Sequence, residues 1–199
     1  MTLSTPDLAA VDASAAWAWL AGQLTAATGS ARHGFHLMTV ATVGTDGQPD
    51  ARTVVLRHVD PARRLIRFHS DIRSPKVRAI QRDPRVALHW YDPVIRVQVR
   101  IDARATVHHG DEIAAAAWSA AAPMSRACYT AFVAPGDPLD AFPAGPAAPA
   151  TGDDAGLAHF TIVSCRFDSV DLLVLHAAGH QRVRLHLDRE PTAWTVLSP

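Results

Sequence analysis

Lysine is almost missing from this chain: of 19 basic residues, Lys76 is the only lysine. A site that needs a compact ammonium on a flexible stem therefore has one residue to draw on. Net charge is missing as well. The 19 basic side chains balance 19 acidic ones, which excludes the broad basic footprint of a nucleic-acid-binding protein. Cysteine is scarce, and Cys128 and Cys165 form no C-x-x-C. They are expected as partly buried free thiols, which argues against a disulfide framework and for a reducing compartment. No run approaches the roughly 18 apolar residues that span a membrane, and the first ten residues lack a basic segment leading into a long apolar one. The expectation is a cytoplasmic protein with no membrane partner. The eleven histidines show no H-E-x-x-H or comparable spacing, so no metal is expected. A G-x-x-x-x-G-K loop is absent too, so any phosphate is held by other means.

What is present is an ordinary globular composition, 48% hydrophobic and 19% charged over 199 residues. That suits one domain spanning 1–199, long enough to bury a core of its own. Residues 11–27 read as a helix with Trp17, Leu20 and Leu24 at i, i+3 and i+7, and Asp12 or Ser14 as cap. From Phe35 the period changes. Strands are expected at 35–43 and 51–59 around a turn carrying Asp46-Gly47, then at 64–69, 86–91, 95–107, 159–167 and 170–176. A last hairpin joins 182–187 to 194–197. Between them, 75–82 reads as a short helix with Ser74 before Pro75, and 111–122 as an alanine-rich helix. The proline-, alanine- and glycine-rich segment 134–156 reads as a loop. Many short strands with few helices give a mainly β protein with flanking helices (α+β), an antiparallel barrel or sandwich.

Three groups of residues suit a ligand. Arg52-Thr-Val-Val-Leu-Arg57 places two guanidiniums an odd number of residues apart. On an unbroken strand they leave opposite faces, and either can grip phosphate bidentately; taken alone, the pair also fits two solvated strand arginines. His69-Ser70-Asp71-Ile72-Arg73-Ser74-Pro75-Lys76 gathers two hydroxyls, an Arg and the one Lys at a helix N-terminus, where free N–H groups favour an anion; an ordinary capped helix start fits the same residues. Gln98 offers donor and acceptor together within the long alternating strand.

Taken in order, T-V-A-T-V-x-x-D-G-x-P-x-A-R-x-V-x-L-R, then F-H-S-D-x-R-S-x-K, then R-x-Q-V-R-I-x-A-R-A resembles the pyridoxamine 5′-phosphate oxidase family of FMN-binding split β-barrels. The resemblance runs from about residue 35 to 110 and resumes from about 160 to the end. It implies an antiparallel split β-barrel and a homodimer holding two FMN molecules in clefts between the chains. By position it assigns Arg52, Ser70 and Lys76 to the FMN phosphate, and Thr53, Val54, Val55, Leu56 and Arg57 to the stretch along the isoalloxazine. His69 stands where the family often has Tyr. Gln98 and Arg182 match flavin-contacting residues, and Ser74-Pro75-Lys76 stands for S-R-K, with Arg73 offering the charge that Pro75 lacks. On the substrate side Arg57 and His180 match the groups that bind or polarise a small molecule.

Two arginines of that substrate side are replaced. The family's Y-x-x-x-R-P reads Trp118-Ser-Ala-Ala-Ala122-Pro123, and its R-x-H reads Ala178-Gly179-His180; a flavin-adjacent Trp is Leu172. The resemblance therefore implies an FMN-dependent oxidoreductase with a depleted substrate-phosphate site. A non-catalytic flavin-binding module, or a split barrel that uses a deazaflavin or haem, remains open at this level.

Overall fold

The computed structural model describes residues 5–142 and 154–199. Helix α1 (Ala13–Thr28) is capped by Asp12, whose carboxylate accepts the Ala15 N–H at 2.7 Å. Its buried stripe is Ala16, Leu20, Leu24 and Ala27. Trp17 lies at the stripe's margin, half-buried, with its ring edge-on to Phe167.

Ten strands follow: β1 (Leu37–Val43), β2 (Pro49–Val55), β3 (His58–Asp60), β4 (Leu65–Asp71), β5 (Arg85–Asp92), β6 (Val97–His108), β7 (Phe160–Arg166), β8 (Ser169–Val174), β9 (Gln181–His186) and β10 (Ala193–Leu197). Helix α2 (Pro75–Arg82) links β4 to β5, and α3 (Glu112–Ala120) with the short α4 (Pro123–Ala127) follows β6. Of the expected loop 134–156, residues 143–153 lie outside the described residues, and 134–142 carry no helix or strand. Helix α4 lies beyond the helix expected at 111–122 and was not anticipated.

All pairings are antiparallel, in the order β10-β9-β8-β6-β5-β1-β2. Strand β6 divides the sheet. Its first residues, Val97 to Arg100, pair with β8, and Arg104 to His108 pair with β7, which continues to β4 and β3. Val97, Val99, Ile101, Ala103 and Ala105 on β6 are buried, while Arg100, Asp102 and Arg104 face outward. This is the period-2 signature of a sheet with one wet face. Strand β7 is buried from Phe160 to Cys165, because α3 covers its second face with Trp118.

The run expected at 51–59 is two strands. The chain leaves β1 at Val55: Leu56 N–H still donates to His36 carbonyl at 2.9 Å, and Arg57 N–H donates to Arg67 carbonyl on β4 at 3.0 Å. This change of partner curls the sheet into the split barrel. It also breaks the alternation between Arg52 and Arg57, so the opposite-face rule does not carry across.

Candidate functional site

The change of partner at Leu56 and Arg57 brings β2, β4 and the start of α2 together. Ser70 is buried at the end of β4, and Ser74 is wholly buried at the N-cap of α2. Ser74 does not cap its own helix with its side chain. Its Oγ lies 3.2 Å from Ser70 Oγ, and Lys76 Nζ donates to Ser70 Oγ at 3.2 Å. Burial, and then the nearby Arg52 guanidinium, lower the Lys76 pKa from its ordinary value. Arg52 itself donates to Val40 carbonyl and Thr42 Oγ1 and pairs with Asp50. Among the described residues Lys76 forms no ion pair, whereas Arg73 is paired with Asp71 at 2.6 Å. A half-buried ammonium, two buried hydroxyls and a helix N-terminus make a cradle for a phosphate group; the one carboxylate lining it among the described residues, Asp71, is taken up by Arg73. The residues present fit the phosphate end of FMN.

The cradle opens into a cavity of about 270 Å³ lined by Thr53, Val54, Val55, Arg57, His69 and Lys76 among others. Leu56 is buried in the core, so only its backbone is available to a ligand. Arg73 does not line this cavity. Its guanidinium is engaged by Asp71 and by the carbonyls of Ala131 and Phe132. Tyr129 and Cys128, which sequence reasoning missed, also line the cavity. Burial pushes the Tyr129 phenol up to about 12, so it stays protonated. Cys128 is exposed rather than partly buried, and Cys165 is wholly buried, its thiol pushed up to about 12.

Arg57 and His69 also line a second cavity of about 560 Å³, walled by Ala116, Ala117, Ala120 and Ala122. His69 sits at the seam. Its ring packs edge-on to Phe160 at 4.9 Å, and its Nδ1 is buried without a hydrogen-bond partner. Burial, then Arg57, lower its pKa to about 4, so the imidazole is neutral at physiological pH. Among the described residues that nitrogen has no partner, a polar group left unsatisfied in the folded chain.

Three expected site residues lie elsewhere. Gln98 on β6 is opposite Leu173 on β8, which is opposite Arg182 on β9. Residues opposite one another share a face, so Gln98 and Arg182 project from one rung of the outer face. Arg182 is held there by a two-pronged pair with buried Asp171, at 3.0 and 2.9 Å. His180 is exposed in the turn before β9. None of the three lines either cavity. Among the described residues no cluster of metal-ligating side chains occurs, and no helix is long and apolar enough to cross a membrane.

An antiparallel split barrel with a phosphate cradle between β4 and α2 defines the class. Comparison with known proteins defines the family: the sequence model described as pyridoxamine 5′-phosphate oxidase matches residues 24–149, and the chain belongs to that family. It is 37% identical over 68 residues to the pyridoxine/pyridoxamine 5′-phosphate oxidase of Chromobacterium violaceum, 34% of this chain and 31% of that one. It is 43% identical over 65 residues to that of Thermosynechococcus vestitus, 33% of this chain and 30% of the relative. The matches thus span about a third of the length of these curated relatives.

Two solved structures share the fold over nearly the whole chain. One is a pyridoxamine 5′-phosphate oxidase-related, FMN-binding protein of Nostoc punctiforme, with TM-score 0.72, 23% identity, and coverage of 92% of this chain and 97% of that one. The other is PhzG of Burkholderia lata in complex with tetrahydrophenazine-1-carboxylic acid, with TM-score 0.71, 17% identity, and coverage of 100% and 99%.

Proposed function

We propose that this protein is an FMN-dependent oxidoreductase acting on a small substrate as a cytoplasmic homodimer. The observation that carries the reading is the cradle of Lys76, Ser70 and Ser74, in which Lys76 has no ion-pair partner among the described residues, opening onto β2 and joined through Arg57 and His69 to a second cavity. Lys76 and Ser70 hold the FMN phosphate with Ser74 behind them, Arg52 joins only by leaving Asp50, since it does not line the cavity as it stands, and the stretch Thr53 to Arg57 runs along the ring. FMN, when bound, supplies the electron-carrying chemistry, and the protein supplies binding and orientation. Arg57 binds the substrate, and neutral His69 offers its free nitrogen where cofactor and substrate meet. The rung that carries Gln98 and Arg182, with His180 nearby, lines neither cavity of its own chain. It serves the cradle of a second copy, which makes a two-fold dimer with composite sites the working unit. The FMN-binding relative of the same fold supports the choice of cofactor.

An absorbance spectrum of the purified protein, repeated after adding FMN and removing the excess, tests the reading. Retained flavin bands at about 375 and 450 nm are expected. A haem Soret band, a deazaflavin spectrum or no retained chromophore overturns it.

A further inference from the structure

The second cavity holds a cation that none of the matched motifs assigns. Arg67, on β4, lines it together with Arg57. The two approach the cavity from adjoining backbone: Arg57 N–H donates to Arg67 carbonyl, and Arg67 stands opposite His58 in the β3–β4 pairing. Arg67 is oriented from behind. Its Nε donates at 3.0 Å to the Oγ of Ser164, a buried residue opposite it on β7. That bond occupies one edge of the guanidinium and leaves the terminal nitrogens free. Among the described residues neither Arg57 nor Arg67 forms an ion pair. The one carboxylate lining the cavity, Glu112, is exposed at the start of α3. His58 and His69, the two imidazoles of the lining, both have lowered pKa values, from burial first and from Arg67 and Arg57 respectively second. They stay neutral and can accept a hydrogen bond while the arginines carry the charge.

The rest of the lining is of another kind. Ala116, Ala117, Ala120 and Ala121 of the α3 segment, with Ile113, present small apolar surface, and the hydroxyl residues Ser125 and Thr28 also line the cavity. A cavity of about 560 Å³ lined by two guanidiniums that form no ion pair among the described residues, and by a row of alanines, suits an apolar body ending in an acid. The acid differs from the one the first cavity is built for. A phosphate is met there by an ammonium, two buried hydroxyls and a helix N-terminus. Here two planar forks are offered, which match the paired oxygens of a carboxylate as they do those of a phosphate, but Ala122 stands in the lining where the family resemblance implies a further arginine, which leaves charge for the singly charged acid.

We infer that Arg67 is the specificity-determining residue of the second cavity, and that with Arg57 it selects an apolar-bodied carboxylate. The inference rests on the oxidoreductase reading above for the cavity's role as the substrate site.

The test uses three probes of one shape on FMN-supplemented protein, with binding followed by calorimetry: 2-naphthoate, 2-naphthyl phosphate and 2-naphthalenemethanol. Wild-type protein is expected to bind 2-naphthoate at least tenfold more tightly than the neutral alcohol. Arg67→Gln is expected to remove most of that preference while leaving affinity for the alcohol within twofold, and Arg67→Lys to restore part of it. Thermal unfolding of each variant reports whether the fold is kept. Equal affinity of wild type for acid and alcohol overturns the proposal. So does an unchanged acid preference in Arg67→Gln, or an equal loss for all three probes. Tighter binding of the phosphate than of the naphthoate overturns the assignment to a carboxylate. An FMN titration run alongside keeps the two readings apart: failure to bind FMN refutes the oxidoreductase reading, whereas FMN binding with an Arg67-independent acid preference refutes this one alone.

Discussion

Lys76 Nζ donates to Ser70 Oγ across 3.2 Å, and among the described residues no carboxylate pairs with that ammonium. The arrangement is unfavourable for the protein alone, since burial and Arg52 both disfavour the charged form. An arriving phosphate relieves it. Lys76→Ala is expected to weaken FMN binding by about 2 kcal/mol, roughly thirtyfold, the worth of one charge-assisted hydrogen bond. Fluorescence titration measures it, with riboflavin as the control. Riboflavin lacks the phosphate, so its affinity is expected to stay within a few-fold. Equal FMN affinity in wild type and variant means that the phosphate lies elsewhere.

His69 makes the folded protein sensitive to acid. Its pKa is about 4 when folded, against 6.5 for an ordinary histidine. Above pH 6.5 both states are neutral there and nothing is lost. As pH falls from 6.5 towards 4 the unfolded chain takes up the proton and the folded one does not, so stability declines across that window by at most about 3 kcal/mol. His69→Phe keeps a ring against Phe160 and removes the proton. Urea unfolding at about pH 7 and pH 5 is expected to show a smaller loss in the variant than in wild type. The difference isolates His69 from His58, whose pKa is lowered in the same direction.

The features that could be read from the sequence were those fixed by near neighbours. Pro75 after Ser74 set the start of α2, and alternation from Val97 onward set the face of β6. The features that could not be read depend on residues distant in sequence. The break at Leu56 and Arg57 exists because β4 supplies a new partner, and the alternation of the 51–59 run carries no trace of it. Arg67 reads as one more strand arginine until β7 supplies Ser164 behind it. Tyr129 comes to the cradle only because α4 brings it against Phe160, at 5.0 Å between ring centres. Ser74, expected as a cap, bonds to Ser70 instead, a choice that depends on β4 ending beside α2. The order of the motifs is what folds Ser70, Ser74 and Lys76 together.

Gln98 does not line the cradle's cavity of its own chain, so composite sites predict complementation. Lys76→Ala and Gln98→Ala proteins, each poor in FMN binding, are expected to regain FMN when unfolded together and refolded as a mixture. At most one intact site forms per mixed dimer, about a quarter of the wild-type FMN content at equal mixing. Light scattering fixes the oligomeric state in parallel. A monomer that holds FMN, or a mixture no better than its parents, refutes the shared site.

Pyridoxamine 5′-phosphate is expected to be a poor substrate. Two positions at which the family resemblance implies arginines hold Ala122 and Ala178. Ala122 contributes only apolar wall to the second cavity, and Ala178 is exposed in the turn before β9. Arg126 does not compensate. It donates to the carbonyls of Ala121 and Ser119, with its guanidinium over the Trp118 ring at 5.4 Å, and it does not line the cavity. Two charged contacts at roughly 2 kcal/mol each amount to about a thousandfold in kcat/KM when both act in the transition state. Arg67 enters from β4 rather than from the alanine wall of α3, and so cannot reproduce both contacts in their original places. The assay is aerobic conversion of pyridoxamine 5′-phosphate to pyridoxal 5′-phosphate by FMN-loaded protein. Turnover within tenfold of about 10 s⁻¹, a typical enzyme rate, refutes the expectation and shows that Arg57 and Arg67 suffice to grip the substrate's phosphate.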